Sequence, residues 1–244
     1  LEKMKYYTDH IIIVADYSEP KEHSHFAMQM IIGIEDDVMC TIDGNEVRGR
    51  GIIIETKIKH TARIGHGKML VVLVEKTSEF AAVLTKKMLI SQGEKYGYLS
   101  ESLINKVRKI VLDKENDNKL NHIEALLQEE FDLYTPQIAE YDNRIRDCIK
   151  YIDSCETIEA NIFEQLETVS FLSKSRLSHL FRNEVQISLA GYLVIAKIKK
   201  AYEFVQLGED LSTAAVHAGF NSPSHFAATV KRNFGNSFSE MGIK

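Results

Sequence analysis

The 244-residue sequence has no apolar run near the 18 or so residues that a membrane-crossing helix needs. Its longest strongly apolar runs, HIIIVA at 10–15 and MLVVLV at 69–74, have the length of buried strands. The first ten residues, LEKMKYYTDH, lack both the apolar stretch and the small-residue cleavage site of a secretion signal. A cytoplasmic chain without membrane association is therefore expected. Cysteine is scarce too. Cys40, Cys148 and Cys155 form no C-x-x-C pair, which argues against a disulfide framework or a cysteine-rich zinc site. Cys148 and Cys155, seven residues apart, read as ordinary reduced thiols rather than a redox pair. Nor is there an overall excess of positive charge: the net charge is -5, which speaks against a general polyanion binder.

What is present is unevenly distributed. Residues 8–78 are dense in isoleucine, valine and glycine, with short apolar runs broken by the turn signals EDD, IDGNE and GHGK, the pattern of a small β domain. From 79 onward the apolar spacing becomes helical in SEFAAVLTKKMLI, SESLINKVRKIVLD and NKLNHIEALLQEEF. Leu103, Val107, Ile110 and Val111 share one helix face, and Leu120, Ile123 and Leu127 another, suited to packing on their own domain or to pairing two chains. Pro136 in YTPQ restricts the residue before it and is the expected boundary, giving domains at 1–135 and 137–244, the second all helical. Between 173 and 232 lie eight basic residues (Lys174, Arg176, Arg182, Lys197, Lys199, Lys200, Lys231, Arg232) against Glu184, Glu203, Glu209 and Asp210. That window carries +4 and leaves -9 for the rest.

Within the window one skeleton occurs twice, at an offset of 49 residues: FLSKSRLSHLFRNEV at 171–185 and FNSPSHFAATVKRNF at 220–234. Phe171 aligns with Phe220, Ser173 with Ser222, Ser175 with Ser224, Leu177 with Phe226, Phe181 with Val230, Arg182 with Lys231 and Val185 with Phe234; Ser188 and Ser237 extend the match. Ser173 and Ser222 suit the N-cap of a following helix, where a hydroxyl satisfies a free backbone N–H, and Pro223 suits the first helical position. In copy one the stripe Leu177, Leu180, Phe181 and Val185 faces a core and leaves Ser175, Ser178, His179 and Arg182 outward. In copy two Phe226, Val230 and Phe234 form the stripe, with Ser224, Ala227, Ala228 and Lys231 outward. Each copy follows a shorter helical segment, and Ala215 and Gly219 are small enough for close helix approach, Gly219 also suiting the left-handed end of a helix. Two helix-turn-helix units result, whose second helices can enter successive major grooves about 34 Å apart. The segment 188–208, with a seam of Val194, Ile198, Ala201 and Val205, would be a rigid spacer of about 30 Å.

Over about 100 residues these motifs resemble the AraC-type transcriptional regulators. DLSTAAVHAGFNSPSHFAATVKRNFGNSFSEM is similar to the family's second helix-turn-helix, and LSKSRLSHLFRNEVQISLAGYL to its first with the start of the linker helix. The resemblance implies promoter DNA as partner, with RNA polymerase and a second copy of the chain as further candidates. The expected DNA-contacting residues are Ser173, Lys174, Ser175, Arg176, Ser178, His179 and Arg182 in copy one. In copy two they are Ser222, Ser224, His225, Ala227, Ala228, Lys231 and Arg232. It also implies a cupin-like effector domain at the N-terminus, so that the fold class is α+β: a cupin-like β-barrel with packed helices, then an all-α double helix-turn-helix.

EHSHFAMQMIIG resembles the cupin H-x-H-x3-E element through His23 and His25, with Gln29 in the glutamate's place, and GRGIIIETKIKH resembles the later G-D-x9-H element through Gly49 and His60, with Arg50 replacing the aspartate. Because the carboxylate is missing, the expectation is an unidentified small effector contacted by His23, His25, Gln29 and His60, with no resident metal, no other cofactor and no catalytic residue. The competing readings are a cupin-type metalloenzyme and a metal-sensing regulator using His23, His25 and His60. His66 reads as a loop residue without a role.

Overall fold

A computed structural model describes residues 4–7, 9–15, 21–88, 94–133, 141–185, 187–234 and 237–239. The boundary expected at Pro136 lies outside the described residues. The chain divides into two units, one of 1–139 with 232–243 and one centred on 140–231.

Among the described residues the first unit opens with eight strands: β1 (Met4–Tyr6), β2 (His10–Ala15), β3 (Ala27–Gly33), β4 (Val38–Ile42), β5 (Asn45–Gly49), β6 (Gly51–Ile54), β7 (His60–Ile64) and β8 (Met69–Glu75). Helix α1 (Glu79–Met88), strand β9 (Tyr96–Tyr98) and helices α2 (Glu101–Leu112) and α3 (Lys119–Phe131) follow. The two apolar runs seen in the sequence pair with each other, Ile12 opposite Val72 and Ile13 opposite Val71, in the middle of an antiparallel sheet ordered β1-β2-β8-β3-β6-β9. A second sheet is ordered β5-β4-β7. Its hairpin is closed by Asp43 and Gly44, both at positive φ (49° and 82°), the conformation that joins two twisted strands through a two-residue loop.

Strand alternation decides which side chains meet which layer. Ile12, Met28, Met30, Ile32, Leu70, Val72 and Val74 share a core with Phe80 and Leu84 of α1, Leu103 and Val107 of α2, and Leu120, Ile123, Leu127 and Phe131 of α3. The helical stripes read from the sequence therefore pack on their own sheet, with Val111 buried and Ile110 half-buried at the end of α2. Gln29 lies between Met28 and Met30 and so points to the opposite face of β3, together with Ile31. Arg50 takes a bracing role: its Nε donates to Asp37 at 3.0 Å and its Nη1 to the Glu35 carbonyl at 3.2 Å, pinning the EDD turn.

The second unit contains α4 (Asn143–Ser154), α5 (Ile162–Ser170), α6 (Lys174–Val185), α7 (Leu189–Gln206), α8 (Leu211–His217) and α9 (Pro223–Phe234). Helix α7, with Ser188 capping it by accepting from Gly191 N at 3.1 Å, runs 18 residues, about 27 Å. Its expected seam is only half right. Ile198 and Ala201 are buried, but Val194 and Val205 are half-buried, while Leu189, Tyr192, Leu193, Ala196, Tyr202 and Phe204 are buried as well. The reason is that α7 packs against α4, α6 and α8, so more than one of its faces is covered.

Candidate functional site

Helix α6 begins at Lys174, directly after Ser173, and α9 begins at Pro223, directly after Ser222, whose hydroxyl accepts from His225 N at 3.1 Å. The core stripes settle as the spacing suggests: Leu177, Phe181 and Val185 are buried in α6, and Phe226 and Val230 in α9, while Leu180 is half-buried. Opposite them Ser175, Arg176, His179 and Arg182 are exposed and Ser178 is half-buried. On α9, Ser224, His225, Ala227, Ala228, Lys231 and Arg232 are exposed. Each helix thus turns a polar or small face to solvent.

The two turns differ, and here the alignment of Phe171 with Phe220 fails. Phe171 is 92% exposed at a left-handed φ of 55°, as the residue that ends α5, whereas Phe220 is 5% exposed. In the second unit the left-handed residue is Gly219 (φ 95°), one position earlier in the repeat. There Phe220 N donates to the Ala215 carbonyl and Gly219 N to the Val216 carbonyl, both at 3.0 Å, the paired bonds of a Schellman end. Phe220 then turns inward, its ring at 5.1 Å from Phe226 and 5.6 Å from His225.

Several residues that shape this surface carry no motif signal. Glu167 of α5 accepts from Lys174 N at 2.5 Å, so a carboxylate occupies the first turn of α6. Lys174 stands over the Phe163 ring at 4.3 Å. Asp210 caps α8, accepting from Ser212 N at 2.9 Å and Thr213 N at 3.1 Å; the Thr213 hydroxyl at 2.6 Å, with those two N–H groups, holds its carboxyl below the ordinary range. Lys197 donates to the Gly219 carbonyl at 2.5 Å, and Lys200 to the Asp153 carbonyl at 3.0 Å. Two of the basic residues counted in the window thus brace the helices, which concentrates outward positive charge at Arg176, Arg182, Lys231 and Arg232.

In the first unit the four residues expected to meet do meet. His23 and His60 are joined backbone to backbone in an antiparallel bridge, and ligand-capable atoms of His23, His25 and His60 lie within 4.8 Å of one another. His25 and His60 are almost fully buried and His23 half-buried. The Nδ1 of each ring meets a backbone carbonyl: His23 that of Lys21 at 3.0 Å, His25 that of Ala27 at 2.9 Å, His60 that of Ile58 at 2.8 Å. A carbonyl can only accept, so each Nδ1 carries the proton and each Nε2 presents a lone pair. The Gln29 Oε1 position lies 2.9 Å from His25 Nε2 and 2.6 Å from His60 Nε2. Since an oxygen there would face two acceptors, the amide is assigned turned over, with its NH2 group at that position donating one N–H to each ring. Burial pushes His25 down to about 3 and His60 to about 4, with the neighbouring rings adding to the shift, and burial also lowers His23. All three rings are therefore neutral at physiological pH. His66 is mostly exposed beside Asp36 at 3.2 Å. Burial pushes the Cys40 and Cys148 thiols up to about 12 and about 11, which makes them inert.

Residues 168–242 match the family described as helix-turn-helix domain. Across the whole chain the fold is shared with ToxT from Vibrio cholerae. The unsaturated fatty acid-bound protein from strain SCE256 superposes with a TM-score of 0.56 at 10% identity, covering 98% of this chain and 97% of the other. ToxT at 1.65 Å gives 0.57 at 10% identity, covering 97% and 99%. The ToxT complex with (E)-4-(8-methylnaphthalen-1-yl)but-3-enoic acid gives 0.52 at 11% identity, also covering 97% and 99%. No curated protein sequence matches the chain. The α+β class read from the sequence, a β-rich cupin-like unit followed by a helical helix-turn-helix unit, is borne out, and so is the resemblance in the C-terminal motifs.

Proposed function

We propose that this chain, which carries a helix-turn-helix domain on the ToxT fold, is a ligand-responsive, sequence-specific transcriptional regulator that reads two successive major grooves of promoter DNA with α6 and α9. The observation that carries the reading is the repeat itself: two helices with the same core stripe, each presenting an exposed face with a basic residue at the equivalent position, Arg182 and Lys231. The β-rich unit is the sensor, at 1–135, and the reader occupies 137–244, an assignment supported by the end of α3 at Phe131 and the start of α4 at Asn143. ToxT binds an unsaturated fatty acid in the structure to which this chain is similar, which supports a small-molecule role for the first unit here. RNA polymerase beside the promoter and a second copy of the chain complete the proposed partners, and the site of action is the cytoplasm. The reading assigns no catalytic residue. An effector acts by binding one arrangement of the chain more tightly than another, because equal affinity for both shifts nothing.

The direct test is binding of the purified chain to duplex DNA at several salt concentrations. Arg182→Ala and Lys231→Ala are each expected to weaken binding to all sequences alike and to reduce the slope of log affinity against log salt by about one unit. Unchanged slopes in both variants would remove these side chains from the interface.

The two readers should also contribute unequally. Pro223, Ala227 and Ala228 offer no hydrogen-bonding group to a base edge, which leaves Ser224, His225 and alanine methyls able to touch thymine methyls. Copy one presents Ser175, Ser178 and His179, with Lys174 and Arg176 at the rim, and Asn183 lies 3.3 Å from His179 Nδ1. Selection from randomised duplexes of about 20 base pairs is expected to return a half-site under α6 that loses about 1–3 kcal/mol per mismatch. The half-site under α9 should carry little base information and act through phosphate and shape. Equal information in both halves would contradict this reading of the exposed alanines.

A further inference from the structure

On the helix side of the larger sheet lies a cavity of about 300 Å3 around His10. That volume is at the lower end of small-molecule sites. His10 shares its face of β2 with Ile12, which belongs to the core under the helices, so the cavity lies away from the face of β3 that carries Gln29 and the histidine cluster. Asp9 just before β2, Glu79 at the start of α1 and Glu124 on α3 each bring a carboxylate to its wall, while Tyr7, Phe80 and Leu133 supply apolar surface. The His10 ring carries protons on both nitrogens, because it donates to Asp9 at 2.8 Å and to Glu124 at 2.6 Å. Three carboxylates against one imidazolium leave the lining with a net charge of -2. Lys5 stands 5.7 Å from the Tyr7 ring and does not line the cavity.

The donors at the wall are already engaged: both His10 N–H groups, the Tyr7 hydroxyl with Asn121 at 3.0 Å, and one Gln128 N–H with Glu124 at 2.6 Å. Spare capacity lies with the acceptors. A carboxylate offers about four lone-pair sites, and these bonds occupy one on Asp9 and two on Glu124. One imidazolium already pairs two of the carboxylates, so a third converging on the same hollow adds repulsion that a second cation relieves. We propose that this cavity binds a small organic cation, a primary ammonium or guanidinium on an apolar body, with the charged head among Asp9, Glu79 and Glu124 and the body along Tyr7 and Leu133 over Phe80. The Asp9 side chain is 31% exposed and that of Glu124 14%, so the head enters past Asp9 and reaches inward. The same charges repel a carboxylate, so a fatty acid such as the one bound in the ToxT structure is a poor ligand for this cavity. Leu133, which follows α3, lines the cavity, so an occupant touches the stretch of chain that leads on to α4. A role for the cation as effector rests on the reading of the first unit as the sensor; the cavity itself does not.

The test is calorimetry on the full chain with three probes of one shape: 2-phenylethylamine, 2-phenylethanol and phenylacetate. The amine is expected to bind at one site per chain and at least about 10-fold more tightly than the alcohol, the worth of a hydrogen bond to a charged group, with phenylacetate the weakest. Hydrogen exchange should slow in α1 and α3 on amine binding and stay unchanged around His23, His25 and His60. Glu79→Gln, which keeps the shape and removes the charge, should weaken the amine about 10- to 100-fold and leave the alcohol unaffected. Glu79→Lys, which brings an ammonium of its own to the wall, should abolish amine binding. If the Glu79 variants fail to fold by circular dichroism, the probe series and the exchange map of the parent chain decide. No saturable amine binding at about 1 mM, equal affinity for amine and alcohol, or full amine affinity in folded Glu79→Gln overturns the proposal. DNA affinity measured with and without the amine reports on the regulator reading separately. Failure to bind DNA in both conditions would sink that reading and leave the cavity standing, while amine binding that leaves DNA affinity unchanged would remove the effector role alone.

Discussion

Gly219→Ala is expected to destabilise the helix-turn-helix unit by about 3 kcal/mol or more and to abolish sequence-specific DNA binding. Two independent costs add. The residue sits at φ 95°, a region that costs an L-residue about 1–2 kcal/mol. A Cβ there would also stand 2.1 Å from the carbonyl oxygen of Ile158, in the segment between α4 and α5, so backbone must move. Overpacking of this kind costs about 1–3 kcal/mol. The displaced carbonyl of Gly219 is the one that Lys197 of α7 holds at 2.5 Å, so the strain reaches the helix shared by both readers. Urea unfolding by circular dichroism, with hydrogen exchange of α8 and α9, would measure the loss. Gly219→Asn separates the two costs: asparagine tolerates the left-handed region but still carries a Cβ. A loss under about 1 kcal/mol in Gly219→Asn would show that the contact with Ile158 relaxes easily.

The same turn shows where the sequence was legible and where it was not. Periodicity gave the core faces of α6 and α9 because burial repeats with helical pitch, and Leu177, Phe181, Phe226 and Val230 are all buried. The alignment by offset could not tell that Phe171 and Phe220 part company, because Gly219, left-handed where copy one has Ser170, turns the following side chain inward, whereas in copy one the left-handed residue is Phe171 itself. In the first unit, the resemblance of 23–29 and 49–60 to cupin elements grouped His23, His25, Gln29 and His60, and the structure places these side chains side by side. What spacing could not supply was the direction of each ring, which is set by the carbonyls of Lys21, Ala27 and Ile58. The roles of Glu167, Lys197 and Asp210 escaped notice for a similar reason: a side chain that bonds backbone leaves no residue-type pattern. His10 and Glu124 escaped because 114 residues separate them.

That last pair leads to the second large effect. His10 is buried, its ring stacked on Tyr7 at 5.1 Å and against the edge of Phe80 at 5.3 Å. Its Nδ1 donates to Asp9 at 2.8 Å and its Nε2 to Glu124 of α3 at 2.6 Å, so both nitrogens carry protons and the ring is an imidazolium. Gln128 donates to the other Glu124 oxygen at 2.6 Å, and Tyr7 to Asn121 at 3.0 Å. Burial alone would lower the pKa of His10, but the hydrogen bonds to Asp9 and Glu124 outweigh it and raise the value to about 9. A histidine whose folded value lies above its unfolded value stabilises the fold fully below about 6.5, and that contribution disappears as pH rises through about 9. The shift corresponds to at most about 3 kcal/mol, reduced by the partial exposure of Asp9. Replacing the ring costs as much or more. His10→Leu leaves Glu124 charged, largely buried and without its partner, at about 3–5 kcal/mol. Hydrogen exchange of β2 and α3 in the parent chain should therefore speed up between pH 6.5 and 9 beyond the intrinsic rise. In His10→Gln, which keeps a donor but no charge, the corrected protection should start lower and stay flat over that window. Parallel pH profiles in the two proteins would show that the link between β2 and α3 does not depend on the charge of His10.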